Sequence, residues 1–142
     1  MSKAIQFVIE GVPCAKGRPK FAVLGGFARA YTPKKTYDSE KNIAGEAMVS
    51  MAGRQPLEGA LNCSIAFFMP IPKSVSKKDK TRMLSGEIQH TKKPDLDNLV
   101  KLVCDSLNGI AYDDDSQIIR LVCSKQYSDY PRTEITIMEA LK

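Results

Sequence analysis

Tryptophan is absent from the chain, histidine occurs once, at His90, and only four cysteines appear in 142 residues. Cys14, Cys63, Cys104 and Cys123 lie far apart and form no Cys-x-x-Cys pair, so with one histidine the sequence offers no structural zinc site. Cys63, Cys104 and Cys123 fall in apolar runs and read as buried, reduced thiols. No apolar stretch approaches the roughly 20 residues of a membrane span, and no secretory signal precedes the first strand. The expectation is a cytoplasmic protein with no membrane partner. Repeats, low-complexity tracts and linkers are also missing. The length suits a single domain over residues 1–142 with one substantial core.

What the chain has is segregated charge. Its net charge is +5, from 21 basic and 16 acidic side chains. Six of the acids, Asp95, Asp97, Asp105, Asp113, Asp114 and Asp115, crowd into residues 95–115, where Lys101 is the one basic residue. The rest of the chain carries 20 basic against 10 acidic side chains. A basic body around an acidic pocket suits a polyphosphate backbone, held by Lys and Arg while cations mediate at the pocket. A solvated surface is also lysine-rich, so charge alone decides little.

The local pattern is more specific. Pro94 biases Lys93 toward extended backbone, and Asp97-Asn98 precedes Leu99, Val100, Val103, Cys104 and Leu107 at helical spacing, so a helix starts near Asp97. Asp95 and Asp97, two apart in extended chain, can then address one locus at the helix entrance, with Lys101 one turn below. Asn108-Gly109 stops the helix, and Asp113-Asp114-Asp115 leads into a strand over Ile118–Tyr127 that can return a third carboxylate to the first two.

Two accounts compete for these aspartates. Asp95 or Asp97 can cap the helix, worth roughly 0.5–2 kcal/mol, and the triplet can be a solvated turn. That account leaves the Asp-x-Asp spacing, the following lysine and the returning carboxylates unexplained. The other is a hard-cation site: carboxylate oxygens suit Mg²⁺, with Mn²⁺ as a substitute, for phosphoryl chemistry. The triplet lacks the alternating ligands and the glycine of a calcium-binding EF-hand.

Along the chain, Ala4–Ile9 alternates as a half-buried strand. Two short strands flank Gly25-Gly26 as a β-hairpin; with Lys16, Arg18 and Lys20 leading in and Arg29, Lys34 and Lys35 following, it reads as a basic arm on DNA phosphates. Thr36–Ala52 has helical spacing through Tyr37, Ile43, Ala44, Ala47, Met48 and Met51, its methionines serving as core filler. Leu61–Met69 reads as a central strand. Residues 73–92 form a second basic stretch, with Lys77, Lys78 and Lys92 running to Lys93, a short helix over Ser76–Leu84, and His90 as a surface loop residue. Ile118–Tyr127 and Glu134–Met138 are expected to pair antiparallel. The fold class is α+β: a mixed β-sheet with two main helices packed on it, plus the basic β-hairpin arm.

At the acidic stretch the sequence resembles a known family. The run Lys93-Pro94-Asp95-Leu96-Asp97-Asn98-Leu99-Val100-Lys101, then Asp105-Ser106-Leu107-Asn108-Gly109, then Asp114-Asp115-Ser116-Gln117-Ile118, is similar to the signature of the RusA family of Holliday-junction resolvases. The likeness extends to Gly11-Val12-Pro13, Lys16-Gly17-Arg18-Pro19 and Tyr31-Thr32-Pro33. The resemblance implies an Mg²⁺-dependent, homodimeric endonuclease that resolves four-way DNA junctions by paired symmetric nicks, with no small-molecule cofactor. Asp95 and Asp97 match the family's paired catalytic aspartates, Lys101 its essential lysine and Asp115 its third carboxylate, with Asp114 in reserve. Asn98 is expected to support the site by hydrogen bonds, and Asp105 to be structural. Alternatives are a nuclease for flaps or forks, and a non-enzymatic basic DNA-binding module that would leave the acidic cluster unexplained.

Overall fold

Alternating burial organises the sheet. In β1 (Ala4–Glu10) every second residue is buried, placing Ile5, Phe7 and Ile9 on one face and leaving the other to solvent. β4 (Leu61–Pro70) does the same with Leu61, Cys63, Ile65, Phe67 and Met69. So does β6 (Arg132–Glu139), with Thr133, Ile135 and Ile137. These three strands and β5 (Ile118–Ser128) form one mixed sheet in the order β1-β6-β4-β5. β6 runs antiparallel to both β1 and β4, while β5 runs parallel to β4. A separate hairpin pairs β2 (Lys20–Leu24) with β3 (Phe27–Tyr31), turning at Gly25 and Gly26, both at positive φ. The computed structural model describes residues 3–17, 20–31 and 34–141, and only the backbone path for residues 20–22, 24 and 27–31.

Helices α1 (Lys34–Met51) and α3 (Leu96–Ser106) pack against each other and cover the apolar sheet face. Ile43, Ala47 and Met51 of α1 and Leu99, Leu102 and Val103 of α3 join Ile5, Phe7, Ile65, Phe67, Ile135 and Ile137 in one core. A third, shorter helix, α2 (Lys77–Leu84), is capped by Ser76, whose hydroxyl accepts from the Asp79 amide at 3.1 Å, and rests beside β5 without a buried residue. The α+β class, mixed sheet and two packed helices therefore match the sequence reading.

Three expectations need correction. β5 and β6 do not pair, because β4 lies between them and uses its two edges for β5 and β6. The three-residue link Asp129–Pro131 passes the end of β4 instead of closing a hairpin, so these neighbours in sequence are not neighbours in the sheet. On α1, Tyr37 and Met48 are exposed, since the stripe facing the core is the narrower Ile43-Ala47-Met51 row. His90 is buried rather than superficial, 9% exposed, with its ring centroid 4.9 Å from that of Tyr127. Of the cysteines, Cys63 and Cys104 are buried and Cys123 is half-buried.

Candidate active site

α3 is amphipathic in a way that fixes which residues face outward. Leu99, Val100, Leu102, Val103, Cys104 and Ser106 turn to the core, so Asp97, Asn98 and Lys101 are left in solvent. Asp95 is the residue at the N-terminal cap, extended at φ −68° and ψ 142°, and its side chain makes no capping hydrogen bond. The capping account therefore does not explain Asp95. Among the described residues the carboxylates of Asp95, Asp97 and Asp115 accept no hydrogen bond and form no ion pair, which is also true of Asp38 and Asp113, whereas those of Asp79, Asp105 and Asp129 do.

Lys101 does not turn back to Asp97. Its ammonium lies 3.5 Å from Asp105, one turn onward. Asp105 is half-buried and also receives the Lys16 ammonium at 2.5 Å, with Glu40 3.7 Å from the same lysine. Burial opposes ionisation of Asp105, but the hydrogen bond and charge of Lys16 outweigh it and hold the carboxyl below its ordinary range. Lys16 is raised in turn, chiefly by that hydrogen bond. The Lys16 amide also donates to the Asn98 carbonyl at 3.2 Å, so the segment before the hairpin is fastened along the exposed side of α3. Asn98 thus contributes its backbone; its side chain makes no hydrogen bond among the described residues.

Beyond α3 the chain is built to present an acidic turn. Gly109 adopts φ 78°, and its amide bonds the Tyr112 carbonyl at 2.7 Å. Tyr112 is fully buried, and its hydroxyl donates to the Cys104 carbonyl at 2.7 Å, tying the turn to the helix it follows. Burial pushes the Cys104 thiol up to about 11 and raises the Tyr112 hydroxyl well above its usual range. Gln117 organises the triplet: its Oε1 accepts from the amides of Asp113 (2.9 Å) and Asp114 (3.1 Å). Its Nε2 donates to the carbonyls of Leu57 (3.1 Å) and Gly59 (3.0 Å). Asp114 caps the short 3-10 turn Asp115–Gln117 by accepting from the Ser116 amide at 3.1 Å; the Ser116 side chain first, and this amide second, lower its pKa. The Asp115 amide donates to Asn108 Oδ1 at 2.9 Å, and its carboxylate has no such local task.

The donor chemistry of Asp95, Asp97 and Asp115 suits a hard divalent cation: all oxygen, ionisable and without protein counter-ions. Their arrangement is another matter. Among the described residues no three His, Cys, Asp or Glu side chains are gathered closely enough to hold one ion together. Asp95 and Asp97 sit at the entrance of α3, and Asp115 sits against Asn108 beyond its far end. The structure thus brings the first pair to one helix end without assembling the three-carboxylate cage.

Of the proposed DNA contacts, Lys34, Lys35, Lys77, Lys78, Lys92 and Lys93 are exposed, and Lys16 is engaged by Asp105 and Glu40. Arg18 lies outside the described residues, and so do the side chains of Lys20 and Arg29. An open basin of about 570 Å³ adjoins the Asp95 turn, and Lys35, Lys92, Lys93, Pro94, His90 and Tyr127 contribute to its lining. It joins the two basic stretches, which sequence reading kept apart. Lys125, missed by that reading, donates from Nζ to the carbonyls of Lys92 (2.6 Å) and Pro94 (2.9 Å). Only its position in β5, two residues from the buried Tyr127, hinted that it turns inward.

Comparison with known proteins gives the family to which the whole fold is similar. The chain is 37% identical over 139 residues to the uncharacterized protein YqaN of Bacillus subtilis (strain 168), covering 95% of this chain and 96% of that protein. Residues 10–138 match the family described as endodeoxyribonuclease RusA, a span that includes the α3 aspartates, the acidic turn and the sheet strands β4, β5 and nearly all of β6, with only the last residue of β1. The likeness seen in the signature thus extends over nearly the whole fold, and the chain belongs to the RusA endodeoxyribonuclease family, an enzyme of the Holliday-junction resolvase class.

Proposed function

We propose that this enzyme resolves four-way DNA junctions by paired, symmetric nicks, with Mg²⁺ as the working cation and Mn²⁺ as a substitute. The family establishes an endodeoxyribonuclease acting on branched DNA, of a kind generally dependent on divalent metal. The observation that carries the finer reading is the set of aspartates left without protein counter-ions on a strongly basic chain. Asp95 in particular stands at a helix cap without capping it.

In this reading Asp95, Asp97 and Asp115 hold the cation, with Asp114 as reserve. A divalent cation held there would supply an activated water and neutralise charge developing on the phosphate. The chain's own groups do the rest. Lys101 lies one turn from Asp97, 62% exposed, and extends an ammonium toward the phosphate while Asp105 steadies it. Lys35, Lys92 and Lys93 at the basin hold backbone phosphates on either side of the cut, and Lys77 and Lys78 on α2 extend the basic track. Asp105 acts as a structural anion, because two lysines already neutralise it.

Two related incisions call for two related sites, which an isologous dimer supplies with one site per protomer. The edge of the sheet at β5 supports this: Ile119 (67% exposed), Leu121 and Val122 place aliphatic side chains on both faces of an edge strand.

The test is a synthetic mobile four-way junction incubated with and without Mg²⁺, with the nicks mapped on each strand. Paired nicks related by two-fold symmetry, dependent on the cation, are expected. Equal cutting of a flap or fork would shift the assignment to another branched substrate. Absence of nicking in both Mg²⁺ and Mn²⁺ would leave a DNA-binding module.

A further inference from the structure

We propose that Lys125 is a positioning residue for Asp95, fixing the turn that presents this carboxylate; the inference rests on the assignment of Asp95 as a cation ligand. Lys125 lies in β5 between Cys123 and Tyr127, on the strand face that turns toward the helices. A lysine there is costly unless its ammonium is satisfied, whereas a methionine would fill the same space without that demand. The ammonium spends two of its three donors on the carbonyls of Lys92 and Pro94, at 2.6 and 2.9 Å. Pro94 immediately precedes Asp95.

The segment has little else to hold it. No backbone–backbone hydrogen bond ties residues 89–94 to the rest of the described residues, and the first such bond after them is Leu99 amide to Asp95 carbonyl, already within the helix start. Asp95 itself has no capping bond to fix its torsion. The stiffness of this turn, and with it the direction of Asp95 relative to Asp97, therefore depends on one side chain from a different strand. The bond is charge-assisted, which makes it the strongest contact available to that turn. Partners that orient ligands in this way typically change metal affinity about 10–100-fold when removed.

Lys125→Met and Lys125→Arg test the role, with three readouts. Mn²⁺ binding to the DNA-free protein, measured by calorimetry, should weaken about 10–100-fold in Lys125→Met and recover most of the loss in Lys125→Arg. The Mg²⁺ concentration for half-maximal junction cleavage should rise by a similar factor, while the rate at saturating metal stays near that of the unmodified enzyme. Junction affinity without metal, and its salt dependence, should not move. Wild-type Mn²⁺ affinity in folded Lys125→Met would overturn the proposal. So would weaker metal-free junction binding with a salt slope smaller by about one and unchanged Mn²⁺ affinity, which would make Lys125 a phosphate contact. If Lys125→Met does not fold, Lys125→Gln carries the same criteria. A protein that binds Mn²⁺ through this turn but cuts no junction would sink the resolvase reading and leave the role of Lys125 standing; one that binds no Mn²⁺ overturns both.

Discussion

Asp97 occupies the first turn of α3, where the helix dipole favours a negative charge, yet no basic side chain among the described residues meets it. Asp97→Asn is isosteric and removes one charge. Junction cleavage should fall by at least about a hundredfold, the scale on which loss of one electrostatic group at a reacting centre is felt. Binding of a labelled junction in gel shift should be unchanged or tighter, since a repulsive carboxylate has gone. An Asn variant that cuts at the normal rate would remove Asp97 from the site. His90 carries a pH dependence of its own. Burial, followed by the charge of Lys125, lowers its pKa in the folded chain. The unfolded chain then binds the proton more readily, so this contribution to stability is present above pH 6.5 and is lost as pH falls toward the folded value. Thermal melting should show a drop between pH 7.5 and 5.5 that is smaller in His90→Phe. The Lys16–Asp105 pair acts outside that window: with Asp105 lowered and Lys16 raised, its contribution fades only in strong acid or strong base.

At the scale of elements, α3 and the turn after it were the most legible part of the sequence. Leu99, Val103 and Leu107 at helical spacing, and the stop at Asn108-Gly109, are local signals and placed the helix within a residue of its observed start. The role of Gln117 was hidden, because its four hydrogen bonds reach both the triplet before it and residues Leu57 and Gly59 far back in the chain. Lys101 pairing with Asp105 was likewise unreadable, since Asp97 and Asp105 are both four residues from it and only the arrival of Lys16 at Asp105 distinguishes them. The buried state of His90 depends on Tyr127, 37 positions on, and no local pattern reports it. Two substitutions probe the turn. Tyr112→Phe deletes the buried bond to the Cys104 carbonyl and should cost about 0.5–1.5 kcal/mol in denaturant unfolding. Gln117→Ala should cost roughly 1–2 kcal/mol by the same measurement, from several partly exposed bonds, and should reduce cleavage as well if Asp115 works from this turn.

For the whole molecule, the expected association through β5 has a direct check. Leu121→Lys places a charge on an exposed aliphatic edge, 42% exposed in the single chain, and should convert a dimer to a monomer in light scattering while leaving the melting temperature of the fold nearly unchanged. A dimer that survives this change would move the interface elsewhere. The sheet order carries a different consequence. Among the described residues β1 has no partner except β6, and their register joins residues as far apart in sequence as Ile5 and Ile137. The acidic turn and α3 are both synthesised before β6. A growing chain on the ribosome therefore exposes its prospective cutting groups while β1 waits for β6 to emerge. Closure of the sheet waits for β6, so that a chain made only as far as the acidic turn displays its carboxylates on a scaffold too loose to aim them.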